Sequence, residues 1–409
     1  MKLGPVHVIR HGTFDRLHKS ERIWHHFSDE LRVAGDTGNP LAARVLEHTH
    51  GLMHSPLSAL FAPSWKPIVK EHARSREAAE RVTAAFQKAI KEPASMPTAS
   101  MWDMLTQERG DFVKALETGN VPAVQTALDR LFVSPLVHGL GQVHTSHLPL
   151  LDREMTHLHF HFTDTLVSLG EAVGACRSSC MGQDAPGHLR PLHKNLDATY
   201  EATLQRLGFA ADYNAACGAF GFKVAGKLLT IDSLTHAYAA YRLAQLGGTV
   251  NNTVYELGGG YGGLALMGHR AGLGRYAIFD LPWVNALQGF FLILNTPPGT
   301  VRLHGETAGN LRIEPYWNLY TEAAKSCDWV VNSDSLPEMG ETTASDYLGH
   351  IRRVIRSGFF SINQEAKVDV PGVGPQNCVS ELVDKVGGYR LQSRHRHWLR
   401  QGYVEEVFA

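Results

Sequence analysis

The sequence predicts an α/β fold whose mostly parallel sheet ends in an antiparallel hairpin and follows a mainly α-helical N-terminal region. Three observations support this prediction. Residues up to about 205 carry helix-like periodicity, strands and helices alternate after about residue 250, and a glycine-rich segment at 258–263 joins a strand to a helix. Such alternation is typical of a parallel sheet with helices on both faces. We expect a helical region over 1–190 and an α/β domain over 191–409.

The size and charge of the chain favour a globular protein that acts on small molecules. The 409 residues suggest two domains, and 44% of them are apolar while 19% are charged. The 39 Lys and Arg nearly cancel the 40 Asp and Glu. Nucleic acid or an anionic membrane would need a basic stripe, so both are disfavoured as partners.

Three features predict a cytoplasmic location. The N-terminal segment lacks the apolar core of a signal peptide. No stretch approaches the roughly 18 apolar residues that span a bilayer. The five cysteines are odd in number and scattered, which argues against a disulfide framework.

Helical periodicity in the N-terminal region is clearest at residues 75–90 and 112–132, where apolar residues recur at three- and four-residue spacing. Prolines and small polar residues at 91–98 mark a loop between these two runs, and residues 182–188 form the clearest linker.

A histidine cluster in the same region suggests a metal site, but the spacing does not support it. If the segment is helical, only His157 and His161 share a face, whereas His159 does not, and zinc would need further ligands. Because the chain contains 23 histidines, we interpret the three as structural or surface residues. Cys176 and Cys180 are interpreted as core thiols. No metal is predicted.

The α/β domain is predicted to begin with helices at 191–207 and 232–246, and either Asp232 or Ser233 is expected to cap the second. Pro282 suits the first position of a later helix because its missing N–H would have no partner there. In chain order, the other predicted elements are a strand at 254–257, a helix at 262–271, a strand at 276–280, a helix at 282–294, a strand at 301–304, a long connection, a strand at 329–332, a helix at 343–356, a strand at 359–363, and a hairpin of 390–398 with 403–408.

The glycine-rich segment predicts a ligand-binding turn. Gly258, Gly260 and Gly263 satisfy the G-x-G-x-x-G pattern after a strand and before a helix. Glycines there permit a tight turn and a close approach of a ligand to the backbone. The pattern alone also fits a dinucleotide-binding fold, or a turn without a ligand.

Two acidic residues favour S-adenosylmethionine over a dinucleotide. Glu256 lies two residues before the first glycine, where it would repel the pyrophosphate of NAD but suits a cationic ammonium and sulfonium. Asp280 ends the next strand, where a carboxylate can accept both ribose hydroxyls. We therefore predict S-adenosylmethionine as the cofactor, with an NAD-dependent oxidoreductase as the alternative.

Three segments resemble the sugar O-methyltransferase group of class I S-adenosylmethionine-dependent methyltransferases, which combine an E-I-G-G-G-Y-G-G loop, a D-L-P after strand two and an N-S-x-S-x-x-E-M segment after strand four. They are ELGGGYGGLA at 256–265, FDLP at 279–282 and NSDSLPEM at 332–339. The resemblance covers 200–409 well and does not extend to 1–95. Leu336 departs from it, since an aromatic residue is expected there.

This resemblance implies a Rossmann-like class I methyltransferase sheet and a sugar or glycosylated metabolite as the acceptor of the methyl group. The alternative is N- or O-methylation of a natural product that is not a sugar, and a non-catalytic scaffold is a further alternative. The residues predicted to contact the cofactor are Glu256, Gly258, Gly260, Tyr261, Asp280, Leu281, Asn332 and Ser333.

Methyl transfer to a hydroxyl needs a residue that removes the proton, or a metal that lowers the hydroxyl pKa. Glu338 is the first candidate for the base, although a solvated or helix-capping carboxylate is an equal alternative. Asp334 is the second candidate, or the two carboxylates together hold a metal. His304, at a strand end, is the third, with adenine packing or a surface position as its alternative.

Four residues are predicted to contact the acceptor. Asn363 and Glu365 follow the fifth strand, at the edge of the sheet where ligands bind. Phe220 and Phe222 lie in a glycine-flanked segment that forms either a lid or a plain turn. The helical region is expected to shape the acceptor pocket or to form a contact in a homo-oligomer.

Overall fold

The computed structural model describes residues 69, 71–92, 106–137, 151–177, 195–247, 250–367, 369–370, 374–400 and 402–409, with only the backbone of 151–161, 370 and 374. The predicted linker at 182–188, most of the predicted loop at 91–98 and Cys180 lie outside these residues. His157, His159 and His161 lie on a helix, but their side chains are outside the described part of the chain.

The described elements follow the predicted order. The helices are α1 (Ser75–Ala89), α2 (Gly110–Glu117), α3 (Val121–Asp129), α4 (Leu151–Ala172), α5 (Leu196–Leu207), α6 (Ile231–Gln245), α7 (Gly263–Arg270), α8 (Pro282–Asn295), α9 (Asn318–Thr321), α10 (Glu341–Val354) and α11 (Val379–Val386). The strands are β1 (Phe222–Val224), β2 (Lys227–Leu229), β3 (Thr253–Leu257), β4 (Arg275–Asp280), β5 (Val301–Leu303), β6 (Leu311–Pro315), β7 (Cys327–Ser333), β8 (Ile355–Gln364), β9 (Asp369–Val370), β10 (Gly374–Pro375), β11 (Leu391–Arg396) and β12 (Tyr403–Phe408).

The chain divides into two compact units. The first, the helical unit, contains α4, α5 and the antiparallel β1–β2 hairpin. Its core includes a close pair of aromatic rings, Phe162 of α4 and Phe222 of β1, whose centroids lie 4.3 Å apart. The second, the sheet unit, contains the other described elements, including nearly all of α6.

An eight-stranded sheet forms the centre of the sheet unit, in the order β11-β12-β8-β7-β3-β4-β6-β5. Every pairing from β8 to β5 is parallel, whereas β12 runs antiparallel to both β8 and β11. The chain order reverses between β3 and β7, and ligands bind at such a switch point in open α/β sheets. The predicted Rossmann-like, mostly parallel sheet with a terminal antiparallel hairpin is confirmed.

Strand β6 is the main element that the sequence does not predict. It lies inside the stretch expected to be a long connection, yet it pairs in parallel with both β4 and β5. Its five residues alternate between buried and half-buried side chains, and the strand ends at Pro315. So short an alternation is a weak signal, and its pairing with β4 is what makes it a strand.

The N-terminal helices α1, α2 and α3 belong to the sheet unit. This division differs from the single domain boundary that the sequence predicts near residue 190. The reason is the packing of α1 on α8, a helix in which every residue is buried. At Gly289 of α8, a Cβ would lie 2.8 Å from Cγ1 of Val82 in α1, so the two helices approach closely. A helix that is buried on every side, such as α8, needs cover all round, and α1 supplies part of it.

Two local expectations are wrong. The run at 112–132 is broken at Gly119, which adopts a left-handed φ of 69°, and Asn120 then caps α3 by accepting the N–H of Ala123. Helix α6 begins at Ile231, so Asp232 lies within its first turn and does not precede it as a cap. Among the described helices, none combines the length and apolarity needed to cross a bilayer.

Candidate functional site

A cavity of about 220 Å³ opens at the carboxyl ends of β3, β4 and β7, within the sheet unit. Parallel strands bring distant residues together at this edge. Nine of the predicted site residues line this one cavity: Glu256, Gly258, Gly260, Tyr261, Asp280, Leu281, Ser333, Asp334 and Glu338.

The glycine turn between β3 and α7 leaves room for a ligand on one side and packs tightly on the other. Gly258 has a left-handed φ of 71°, and a Cβ there would lie 2.2 Å from Oγ of Ser335. Gly260 also has a positive φ of 55°, but a Cβ there would meet no atom within 4 Å. Gly258 is therefore required by packing, whereas the backbone at Gly260 borders open space.

Glu256 places a buried carboxyl group directly beside this turn. Its side chain is only 3% exposed, and Oε2 accepts a hydrogen bond from the Tyr276 hydroxyl at 2.9 Å. Burial raises the pKa of Glu256 to about 8, with a smaller contribution from the nearby Asp280. Among the described surroundings, no cation compensates the carboxyl group of Glu256. A cationic ligand would therefore favour its ionised form.

Asp280 ends β4 on the opposite side of the turn, and hydrogen bonds fix the position of its carboxylate. Oδ1 accepts the N–H of Leu281 at 2.8 Å, and Oδ2 accepts Nε2 of Gln288 at 2.7 Å. Burial raises the pKa of Asp280 to about 7, although these bonds and the amides of the glycine turn oppose the rise. A carboxylate has about four acceptor positions, and the Leu281 amide, the Gln288 side chain and the two amides of the glycine turn share those of Asp280. Gln288 is a positioning residue that the sequence patterns did not reveal.

Asn332 and Asn363 lie beneath the cavity and do not line it. Asn332 is fully buried, donates to the carbonyl of Leu257 at 2.9 Å, and accepts Nδ2 of Asn363 at 3.1 Å. Oδ1 of Asn363 in turn accepts the N–H of Asp334 at 2.9 Å. In the structure the two amides, predicted to contact cofactor and acceptor, tie the end of β7 to β3 and β8.

Asp334 adopts an unusual backbone conformation at the cavity wall. Its φ is +68°, a left-handed value that is uncommon for a residue with a side chain. Oδ2 pairs with Nη1 of Arg400 at 2.5 Å, and the Tyr403 hydroxyl donates to the same carboxylate. The Arg400 guanidinium also lies 3.4 Å from the centre of the Tyr403 ring. Asp334 is therefore a paired carboxylate whose charge is largely compensated.

His304 lies away from the cavity, between two carboxylates. Its Nε2 is 2.8 Å from Glu92, and its Nδ1 is 3.1 Å from Glu314. The hydrogen bond to Glu314 and the contacts with Glu92 raise the pKa of His304. The described geometry gives His304 a structural role, linking the end of α1 to the sheet.

The remaining predicted acceptor residues are also outside the cavity wall. Glu365 accepts Nη2 of Arg394 at 2.6 Å. Phe222 is buried on β1 in the helical unit, and Phe220 is half-buried in the sheet unit. Neither phenylalanine lines the cavity, so the lid remains a prediction without geometric support.

Two polar residues on α6, Asp232 and His236, line the cavity although the sequence patterns did not connect them with it. They are four residues apart, so they share one face of the helix. A Cβ on Gly263 would lie 2.4 Å from Nδ1 of His236, which places this face against the glycine turn. Burial lowers the pKa of His236 to about 3, so its ring is neutral. The four-residue spacing of Asp232 and His236 on a predicted helix was the sequence signal that could have indicated this shared face.

The described residues contain no group of three or more His, Cys, Asp or Glu side chains arranged to hold a metal ion. Asp334 and Glu338, considered from the sequence as a metal pair, thus have no third ligand of these types within the described part of the chain.

Neither a family model nor a curated protein matches this chain. A solved structure of magnesium protoporphyrin IX methyltransferase from Synechocystis PCC 6803 shares 14% identity and a TM-score of 0.33, over 42% of this chain and 77% of that one. Burkholderia thailandensis 1,6-didemethyltoxoflavin-N1-methyltransferase shares 17% identity and a TM-score of 0.28, over 41% of this chain and 73% of that one. At such low values these similarities say nothing about what this chain binds.

Proposed function

We propose that this protein is an S-adenosylmethionine-dependent methyltransferase that methylates a hydroxyl of a sugar or sugar-like small molecule. One observation carries the proposal. The cavity at the switch point joins an open glycine turn to the carboxyl groups of Glu256, which is buried, and Asp280, which is half-buried, and no Lys or Arg is among the described residues that line it. A pyrophosphate seated on this turn would face Glu256 without a compensating cation, which opposes NAD.

The residues on the cofactor side of the cavity fit S-adenosylmethionine. We define this side as Glu256, the glycine turn and Asp280. Glu256 would bind the cationic part of the molecule, Asp280 would accept the ribose hydroxyls, and the open space beside Gly260 would admit its backbone contact. When bound, this cofactor supplies a methyl group that its sulfonium already activates.

The acceptor side comprises Asp232, Asp334 and Glu338, all of which line the same cavity. These groups would orient the acceptor and remove its proton, which are the two tasks left to the protein. The sugar hydroxyl rests on the resemblance of residues 332–339. An amine, or a natural product that is not a sugar, is the alternative acceptor, and the acidic lining is compatible with it.

Calorimetry with S-adenosylhomocysteine and with NAD tests the proposal. We expect micromolar binding of S-adenosylhomocysteine and no measurable heat from NAD. The Glu256→Gln variant serves as a second ligand test, because its side chain retains the shape but cannot ionise to pair with a cationic ligand. Tight binding of NAD, with no binding of S-adenosylhomocysteine, would overturn the assignment.

A further inference from the structure

The acceptor side contains one carboxylate with a buried oxygen whose hydrogen-bonding capacity is unused. Among the carboxylate oxygens of the described residues, only Oδ2 of Asp232 is buried and accepts no hydrogen bond. A buried acceptor without a partner costs free energy, so such an atom in a cavity wall calls for a donor from a ligand. This unpaired oxygen distinguishes Asp232 from the other two carboxylates of the acceptor side.

The surroundings of Asp232 differ from those of Asp334. The carboxylate of Asp334 is already engaged by Arg400 and by the Tyr403 hydroxyl. Asp232 feels Arg400 and Asp334 only at longer range, with opposite effects, and burial raises its pKa to about 6. A carboxylate with such a pKa is ionised at neutral pH and still basic enough to take a proton.

The position of Asp232 is set by helix α6. His236, one turn further along the same face, lies against Gly263 and has its Nδ1 3.4 Å from the Tyr261 hydroxyl. Since the His236 ring is neutral, it adds no charge that would pair with Asp232. The helix therefore presents Asp232 to the cavity beside the glycine turn, where the methyl group would be delivered.

We propose that Asp232 meets the reacting group of the acceptor and receives its proton during methyl transfer. This inference rests on the proposed function. A lone pair on the acceptor oxygen or nitrogen forms the new bond to the methyl carbon. The carbon–sulfur bond breaks, its electron pair remains on sulfur to give S-adenosylhomocysteine, and the acceptor proton passes to Asp232. With no Lys or Arg among the described lining residues, the site suits a neutral or cationic acceptor, not a phosphorylated one.

Sinefungin tests this assignment without knowledge of the acceptor. It carries a C–NH3⁺ group where S-adenosylmethionine carries S⁺–CH3, so its ammonium probes the position at which the acceptor reacts. The dissociation constants of sinefungin and S-adenosylhomocysteine are measured by calorimetry for the wild type, Asp232→Asn and Glu338→Gln. Asp346→Asn is the control, because Asp346 is an exposed residue of α10 and the change in charge is the same.

We expect Asp232→Asn to weaken sinefungin by ~10-fold, the size of a lost charge-assisted hydrogen bond, and to change S-adenosylhomocysteine by less than about 2-fold. Glu338→Gln should weaken sinefungin less, and Asp346→Asn should change neither ligand. The assignment is overturned if Asp232→Asn leaves sinefungin unchanged, if it weakens both ligands equally, or if Glu338→Gln has the larger effect. If the wild type binds neither ligand, the proposed function itself fails.

Discussion

The cofactor side and the acceptor side of the cavity are built in different ways. On the cofactor side, Glu256 and the glycine turn are adjacent in the chain, and Asp280 ends the neighbouring strand β4. On the acceptor side, Asp232 comes from helix α6, Asp334 and Glu338 follow β7, and Arg400, which pairs with Asp334, precedes β12. The first side is encoded in short segments, whereas the second depends on contacts between distant ones.

This difference predicts that the two sides respond differently to mutation. Loss of a cofactor-side group should reduce the affinity for the cofactor directly, because each group is proposed to bind a different part of that molecule. Loss of an acceptor-side group should change which acceptor molecules bind, because the charges of Asp232, Asp334 and Arg400 influence one another.

The largest effect is expected from Asp280→Ala. The variant removes the proposed acceptor of the ribose hydroxyls and leaves Gln288 without its partner, so S-adenosylhomocysteine should bind ~30- to 100-fold more weakly, or about 2–3 kcal/mol. Calorimetry measures the loss, and Asp334→Asn, on the acceptor side, should change the affinity less than about 3-fold. Equal losses in both variants would show that the division into two sides is wrong.

A smaller effect is expected where the two sides join, at Gly258 and Ser335. In Gly258→Ala, the new Cβ would lie 2.2 Å from Oγ of Ser335 on a backbone with φ of +71°. We expect a loss of about 2 kcal/mol in the free energy of unfolding, measured by denaturant titration. Gly349→Ala is the matched control, since a Cβ in that interior position of α10 meets nothing within 4 Å and Ala favours the helix. A Gly258→Ala variant as stable as Gly349→Ala would contradict the observed packing.

The smallest effect concerns the pH dependence of the cofactor side. The pKa of Glu256 is raised from 4.5 to about 8, so the native protein holds a proton there that the unfolded chain has lost. Stability should therefore fall as pH rises from about 6.5 to 8, by an amount on the order of 1 kcal/mol. Glu256→Gln should flatten this fall.

Thermal unfolding of both proteins, without ligand, across this pH range checks the prediction. Asp280 and His304 also have raised pKa values, so the stability that they contribute falls with rising pH as well. The informative quantity is therefore the difference between the wild type and Glu256→Gln. Parallel curves for wild type and Glu256→Gln would mean that Glu256 is already ionised in the folded protein.

Much of the cofactor side was accessible from the sequence because its residues lie at fixed distances from strand ends. The strand patterns of β3 and β4, followed by the glycine pattern and Pro282, are sufficient to place Glu256, Gly258 and Asp280 on one edge of the sheet. The structure does not place Asn332 and Asn363 in the cavity wall. Both lie at the same edge, but a side chain at a strand end points either into a cavity or into the sheet, and spacing alone does not distinguish the two.

The acceptor side required the folded chain. Along the sequence, Asp232 was one of two candidates for a helix cap, and His304 was the third candidate for the base, with adenine packing or a surface position as its alternative. In the folded chain, His304 contacts Glu92, which is distant in the sequence, and the packing of α6 places Asp232 beside the glycine turn.

Local periodicity, glycine spacing and the placement of acidic residues thus sufficed for the sheet and for the cofactor side, because these depend on neighbours within one or two elements. The pairing of β6, the membership of α1 in the sheet unit and the partners of each carboxylate depended on long-range packing and burial. Whether a carboxylate is compensated, as Asp334 is by Arg400, or left with an unpaired oxygen, as in Asp232, follows from the surroundings that only the folded protein provides.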